Sequence, residues 1–220
     1  MALVELKGIV LKNADYAEYD RRVVILTSEC GKITVFAKGV KRPGSRYLAA
    51  TEPFSFGVFR LIEGRNAYTL KEAEISNYFE GLRSDLTAYA YASYFLEIAD
   101  YYSRENNDDL ELLKLLYSGL KALLSPALEN ELISSAFLIK AIAVNGEYPG
   151  LPEGKVYLPG TLHSMRHILN SPPEKAFSFA VNGEVLKELK SIEKRLRDGC
   201  IGKRFMSLEL LKDVPPVPAS

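Results

Sequence analysis

Five strand-length runs rich in β-branched and aromatic residues occupy the first 79 residues, and no helical period separates most of them. Val4–Ala14 and Arg22–Ser28 (RVVILTS) come first. The turn Glu29-Cys30-Gly31-Lys32 leads into Ile33–Ala37. Pro53–Ile62 (PFSFGVFRLI) and Ala67–Ile75 follow, joined by Glu63-Gly64-Arg65-Asn66. Val, Ile, Phe, Tyr and Thr suit a pleated, half-buried surface, and Gly or Pro near each run ends it. So many short strands in so little chain predict a small antiparallel barrel.

Near Gly81 the pattern changes. Asp85–Ser103 (DLTAYAYASYFLEIADYYS) carries Leu86, Tyr89, Ala90, Tyr94, Ile98, Tyr101 and Tyr102 at helical spacing, with Ser84 or Asp85 as its cap. Asp109–Leu124 shows a leucine stripe at 112, 113, 116, 120 and 123. After Pro126, the segment Ala127–Val144 is apolar on most faces, the mark of a helix central to its domain. Asn145–Gly160 (NGEYPGLPEGKVYLPG) reads as an irregular loop. Weaker helices follow at Leu162–Asn170, Gly183–Asp198 and Lys203–Lys212, and the tail VPPVPAS reads as frayed. The expected fold class is α+β: a five-stranded antiparallel barrel over residues 1–79, of the size of the oligonucleotide-binding (OB) fold, then an all-helical domain over 80–220.

Charge divides along the same line. The whole chain is formally neutral, but residues 1–79 hold 12 Lys and Arg against 9 Asp and Glu, a balance of +3, and the remainder balances at −3. Two modules with different partners would show this asymmetry. Two widely spaced cysteines, Cys30 and Cys200, fit a reduced, cytoplasmic protein. The N-terminus MALVELKGIV reads as a strand, not a signal peptide, and no apolar run reaches the roughly 20 residues of a membrane helix.

No catalytic signature is present: no phosphate-binding loop, nucleophile elbow, metalloprotease helix or glycine fingerprint. The expectation is therefore no catalytic residue, no metal site and no cofactor. His163 and His167 share a helix face, but a zinc site needs further ligands that the neighbourhood does not supply. Glu97, Asp100, Glu105, Asp108, Asp109 and Glu111 match no EF-hand spacing and read as a solvated connector. The tyrosines of 85–103 read as core and interface.

The segment 31–47 (GKITVFAKGVKRPGSRY) is different, because Lys32, Lys38, Lys41, Arg42 and Arg46 stand there with no acidic residue. Gly39, Pro43 and Gly44 place most of these charges on a projecting loop. Arg21, Arg22, Arg60 and Arg65 add to them within the same module. A local cationic excess on a neutral background suits a phosphate backbone, and Phe36, Tyr47 or Tyr68 would supply stacking surfaces. Nucleic acid crosses the second and third strands of an OB barrel, here Arg22–Ser28 and Ile33–Ala37. Lys32, at the turn before the strand, is the weakest member. An RNA-binding barrel, or a protein-interaction module with a basic docking loop, would share these features.

The order and spacing of GIVL (Gly8–Leu11), the polar Asp15–Asp20 loop, LTSECGK (Leu26–Lys32), AKGVKRPGSR (Ala37–Arg46) and EPFSFGVF (Glu52–Phe59) resemble the N-terminal domain of the RecO family of recombination mediators. NGEYPGLPEG (Asn145–Gly154) and GKRFMSLELL (Gly202–Leu211) are similar to that family's helical domain. The resemblance implies an OB-fold DNA-binding domain and a helical domain. It also implies a non-enzymatic role: binding single- and double-stranded DNA, annealing complementary strands and, with RecR, loading RecA onto strands coated by the single-strand-binding protein (SSB), whose acidic tail docks on the helical domain. On this reading Arg21, Arg22, Lys38, Lys41, Arg42, Arg46, Arg60, Arg65 and Tyr68 are the DNA-binding candidates, and the protein works in the cytoplasm, at the nucleoid during repair. Many members of the family hold zinc with four cysteines. Here Pro152, Glu153 and Gly154 stand where the first pair would follow, so the loop is expected to be held by packing alone.

Overall fold

The structure, a computed structural model, describes residues 2–213; the VPPVPAS tail lies outside them. The chain separates into two compact units. One joins residues 1–80 to 99–113, and the other joins 81–98 to the residues from 114 onward.

The first unit is built on β1 (Leu3–Asp15), β2 (Arg21–Thr27), β3 (Gly31–Ala37), β4 (Phe56–Glu63) and β5 (Tyr68–Asn77). They close into a barrel in the order β1-β2-β3-β5-β4. All five runs read from the sequence are strands, but the barrel is not wholly antiparallel: β3 and β5 run parallel, with Val35 opposite Tyr68 and Phe36 opposite Thr69. The reason is parity. A ring of five strands cannot alternate direction all the way round, so one neighbouring pair must share a direction. With β1–β2, β2–β3, β1–β4 and β4–β5 antiparallel, that pair is β3–β5. The fold is the OB barrel, closed by the short β3–β5 pairing.

Alternation sets the barrel interior. Leu6, Val10, Val23, Ile25, Ile33, Val35, Ala37, Val40, Phe59 and Leu61 pack together inside. The intervening residues of β3, namely Lys32, Thr34 and Phe36, therefore point outward. At Gly31 the backbone is left-handed (φ 61°), and an added Cβ would run into the Arg104 carbonyl. That contact is part of a short seam: Lys32 N donates to Arg104 O at 2.9 Å and Asn106 N to Cys30 O at 3.0 Å.

The helices are α1 (Leu86–Tyr102), α2 (Leu110–Leu123), α3 (Asn130–Val144), α4 (Pro159–Asn170), α5 (Gly183–Cys200) and α6 (Ser207–Asp213). Asp85 caps α1, its Oδ1 accepting from Thr87 N at 2.8 Å and Ala88 N at 3.0 Å. Leu86, placed in the apolar stripe by spacing, is instead exposed at the first position of the helix. Helix α3 begins three residues later than its apolar run, and α4 begins earlier, with Pro159 at its first turn, where a missing N–H costs nothing.

Helix α3 is buried on almost every face and packs on α4 and α5. Phe137 stacks on Phe95 with ring centroids 3.9 Å apart. Lys140, itself buried, donates to Leu169 O at 2.8 Å and Ser171 O at 2.7 Å, placing its cation at the negative end of α4. The tyrosine reading holds in the middle of α1: Tyr94 is fully buried against the edge of Phe205, and burial raises its hydroxyl pKa.

The loop before α4 is not held by packing alone. Arg195 Nη2 of α5 donates to Gly150 O at 3.2 Å, Cys200 Sγ lies 3.8 Å from Glu147 O, and Glu188 accepts from Leu158 N at 3.1 Å. Three side chains of one helix thus fasten the segment.

Candidate nucleic-acid interface

The basic stretch does not project freely. Gly39 N donates to Asp20 Oδ1 at 2.7 Å, Lys41 N donates to Tyr19 O at 3.0 Å, and Lys41 Nζ pairs with Asp15 Oδ2 at 2.6 Å. These bonds tie the loop after β3 to the short β1–β2 loop, Tyr16–Asp20. Two turns, Arg42 N to Gly39 O and Ser45 N to Arg42 O, both at 3.1 Å, shape its tip. Gly39 and Gly44 take φ of 66° and 78°, so here glycine serves a fixed backbone path.

The candidate cations fall into two groups. Arg21 lies 2.6 Å from Glu52 Oε1 and 3.9 Å from Asp15. Lys41 is taken by Asp15. Arg60 sits between Glu5 at 2.9 Å and Glu72 at 2.8 Å, and the hydrogen bonds to these two carboxylates hold its guanidinium firmly protonated. Lys32 lies within β3, not at the turn before it, and donates to Asp100 O at 2.6 Å and to the Asp100 carboxylate at 3.2 Å. Arg22, Lys38, Arg42, Arg46 and Arg65 have no carboxylate within 4 Å among the described residues, and all five are exposed.

These five are not gathered at one point. Arg22 lies on β2, directly opposite Phe36 of β3. The Arg42 guanidinium lies over the Tyr19 ring, 5.7 Å from its centroid. Arg46 covers Tyr47 at 4.7 Å and lines a shallow concavity with Val58, Arg60, Glu72 and Glu74. Arg65 is on the β4–β5 loop, beside Lys32, Thr34, Tyr68 and Glu105.

The three aromatic candidates also separate. Tyr47 and Tyr68 pack against the barrel core. Burial pushes the Tyr68 hydroxyl pKa up, with Cys30 and Glu63 adding to the shift. Phe36 alone presents its ring outward, and Tyr16 meets it with centroids 4.7 Å apart. The sequence reading does not single out Tyr16 and Tyr19. The usable signal is two aromatic residues in a polar five-residue loop between strands, where packing has little need of them.

The acidic cluster is not a solvated connector throughout. Asp100 bridges Lys12 at 2.7 Å and Lys32 at 3.2 Å, while buried Asp109 accepts from Asn107 Nδ2 at 2.7 Å. His167 approaches Lys175 O at 3.0 Å and the ring of Phe179. Among the described residues no group of three or more His, Cys, Asp or Glu is placed to hold a metal ion, and no helix is long and apolar enough to cross a membrane.

An OB barrel followed in the chain by helices defines the class of this protein. Residues 1–79 match the family described as Recombination protein O N terminal, and residues 83–152 match Recombination protein O C terminal. DNA repair protein RecO of Alkaliphilus metalliredigens is 36% identical over 149 residues, 68% of this chain and 61% of the relative. That of Bacillus subtilis is 35% identical over 149 residues, 68% of this chain and 58% of the relative. With DNA repair protein RecO of Clostridium perfringens the identity is 27% over 242 aligned positions, 96% of this chain and 98% of the relative. The chain thus spans about three fifths of the length of several relatives and nearly all of another. It belongs to the RecO family.

Proposed function

We propose that this protein is a non-enzymatic mediator of DNA repair and recombination, binding single- and double-stranded DNA through its barrel and annealing complementary strands. One observation carries the reading: on an OB barrel of the RecO family, Arg22, Lys38, Arg42, Arg46 and Arg65 have no carboxylate partner among the described residues. Annealing needs a surface that screens the repulsion between two phosphate backbones and tolerates any sequence. Cations reading phosphates more than base edges do this without an active site. Residues 1–79 act as the DNA-binding domain on this reading, and 80–220 as the helical domain. The names of its relatives, DNA repair protein RecO, support DNA as the substrate, and a cytoplasmic place at the nucleoid during repair belongs to the same reading. In this role the barrel works with RecR to load RecA onto strands released from SSB, and the helical domain receives the acidic tail of SSB.

The test is the salt dependence of oligonucleotide affinity. Replacing Arg22, Lys38 and Arg42 together with Ala lowers the slope of log affinity against log salt by about 2 on single strands, at about 0.7 per phosphate contact. An unchanged slope overturns the assignment. Competition by RNA at equal strength would favour a general RNA-binding barrel. Absence of binding at about 0.1 M salt, where the Debye length is about 10 Å, would leave a protein-docking module. Annealing in the presence of SSB, with and without its acidic tail, tests the mediator role.

A further inference from the structure

The outward row of side chains across the barrel is set by register. Ala14 of β1 opposes Arg22 of β2, Arg22 opposes Phe36 of β3, and Phe36 opposes Thr69 of β5. Directly opposed residues on one face lie about 5 Å apart, so the row is continuous. At its centre Phe36 carries the Tyr16 ring, tilted by 58° at 4.7 Å. Tyr16 nevertheless leaves 65% of its surface exposed, and Tyr19, three residues on, leaves 40%. Single exposed aromatics are ordinary, but here the Phe36 ring stands opposite Arg22 and the Tyr19 ring lies under Arg42, two guanidinium groups with no carboxylate partner among the described residues.

The loop holding the tyrosines is tight and braced, not loose. Tyr16 N donates to Asp20 O at 3.1 Å and Asp20 N to Ala17 O at 3.3 Å, while Gly39 and Lys41 fasten it to the next loop. The rings are therefore held out into solvent before any ligand arrives. Ring faces beside fixed cations suit planar bases whose phosphates run alongside, and base–aromatic stacking requires bases that are unpaired and splayed from their neighbours. Stacked duplex offers no such faces. A purely acidic peptide would use the cations and leave the rings idle.

The geometry points to Tyr16, Phe36 and Tyr19 as a base-stacking strip that makes this end of the barrel selective for single-stranded DNA over duplex, with Arg22 and Arg42 on the phosphates. The inference rests on the nucleic-acid reading above and divides the work within it: rings recognise the unpaired state and cations supply affinity. Tyr47 and Tyr68, turned to the core, take no part.

The test uses the full chain and an oligo(dT) of ~20 nucleotides, longer than one barrel covers, beside a duplex of equal length. Tyr16→Ala and Tyr19→Ala each weaken oligo(dT) binding roughly tenfold at fixed salt, leave the salt slope unchanged, and alter duplex affinity less than about twofold. Tyr16→Phe and Tyr19→Phe retain binding, because the ring and not the hydroxyl acts. Tyr16→Trp gives a chain otherwise free of tryptophan a reporter whose emission is quenched by oligo(dT) and not by duplex. Full-strength oligo(dT) binding by the double Ala variant overturns the inference, as does an equal loss on duplex or displacement by a polyglutamate peptide at matching affinity. If the wild-type chain fails to bind oligo(dT) at all, the nucleic-acid reading falls with it. Wild-type binding with indifferent tyrosine variants sinks the stacking strip alone.

Discussion

Lys41 Nζ lies 2.6 Å from Asp15 Oδ2, so the cation in the middle of the basic loop is already paired with the last residue of β1. Arg42, one residue on, meets an aromatic ring instead of a carboxylate. Neighbours in sequence thus differ in what they can offer a phosphate. Lys41→Ala leaves the salt slope of single-strand binding nearly unchanged, whereas Arg42→Ala lowers it by about 0.7. Equal effects of the two substitutions would show that Asp15 releases Lys41 when DNA binds.

On the proposed DNA-binding reading, Asp15 opposes binding by occupying Lys41. The hydrogen bond from Lys41 lowers its carboxyl pKa despite some desolvation, helped by the charges of Lys41 and Arg21, so it is ionised at neutral pH. Asp15→Asn removes the countercharge from Lys41 and one of two from Arg21. Affinity for single strands rises and the salt slope steepens by about 0.7 for each cation freed. Titration across a range of salt concentrations reads both at once.

Asp100 makes the barrel unit sensitive to acid. Burial pulls its pKa up, but hydrogen bonds from Lys12 and Lys32 outweigh that and leave it below the ordinary 3.8. A depressed folded-state pKa means stabilisation that is complete above the unfolded value and lost as pH falls through the folded one. Asp100→Asn therefore lowers stability at pH 7 by on the order of 1 kcal/mol, and the gap from wild type closes below about pH 4. Thermal melts at pH 7 and pH 3.5 check this.

Asn182 caps α5, its side-chain oxygen accepting from Val185 N at 3.0 Å. This helix carries Glu188, Arg195 and Cys200, which hold the loop before α4. Asn182→Ala costs about 1 kcal/mol in denaturant melts. Proteolysis within residues 149–156 increases in step with the loss of stability.

Gly119 of α2 is needed for its size. A Cβ there would stand 2.9 Å from the Phe137 ring and 3.3 Å from the Phe95 ring, two rings stacked on each other with centroids 3.9 Å apart. Alanine is worth up to about 1 kcal/mol over glycine in a helix, but overpacking costs about 1–3 kcal/mol. Gly119→Ala therefore lowers stability in chemical unfolding, against its helix propensity.

Much of this protein was determined by its sequence alone. Strand and helix periods are local, so Arg22–Ser28 or Asp109–Leu124 declares its element from side-chain spacing, and the all-round apolar Ala127–Val144 declares a central helix. The excess of charge near residues 38–46 is equally local, as are the motifs shared with the family. What each charge does depends on partners far along the chain. Asp15, Glu52, Glu5, Glu72 and Asp100 reach Lys41, Arg21, Arg60 and Lys32 only once strands are in register, because an ion pair is decided by a few ångströms that sequence spacing does not encode. The same holds for Tyr68 turning inward while Tyr16 comes to rest on Phe36. The parallel β3–β5 pair arises from closing a ring of five, a property of the barrel as a whole and of no single strand.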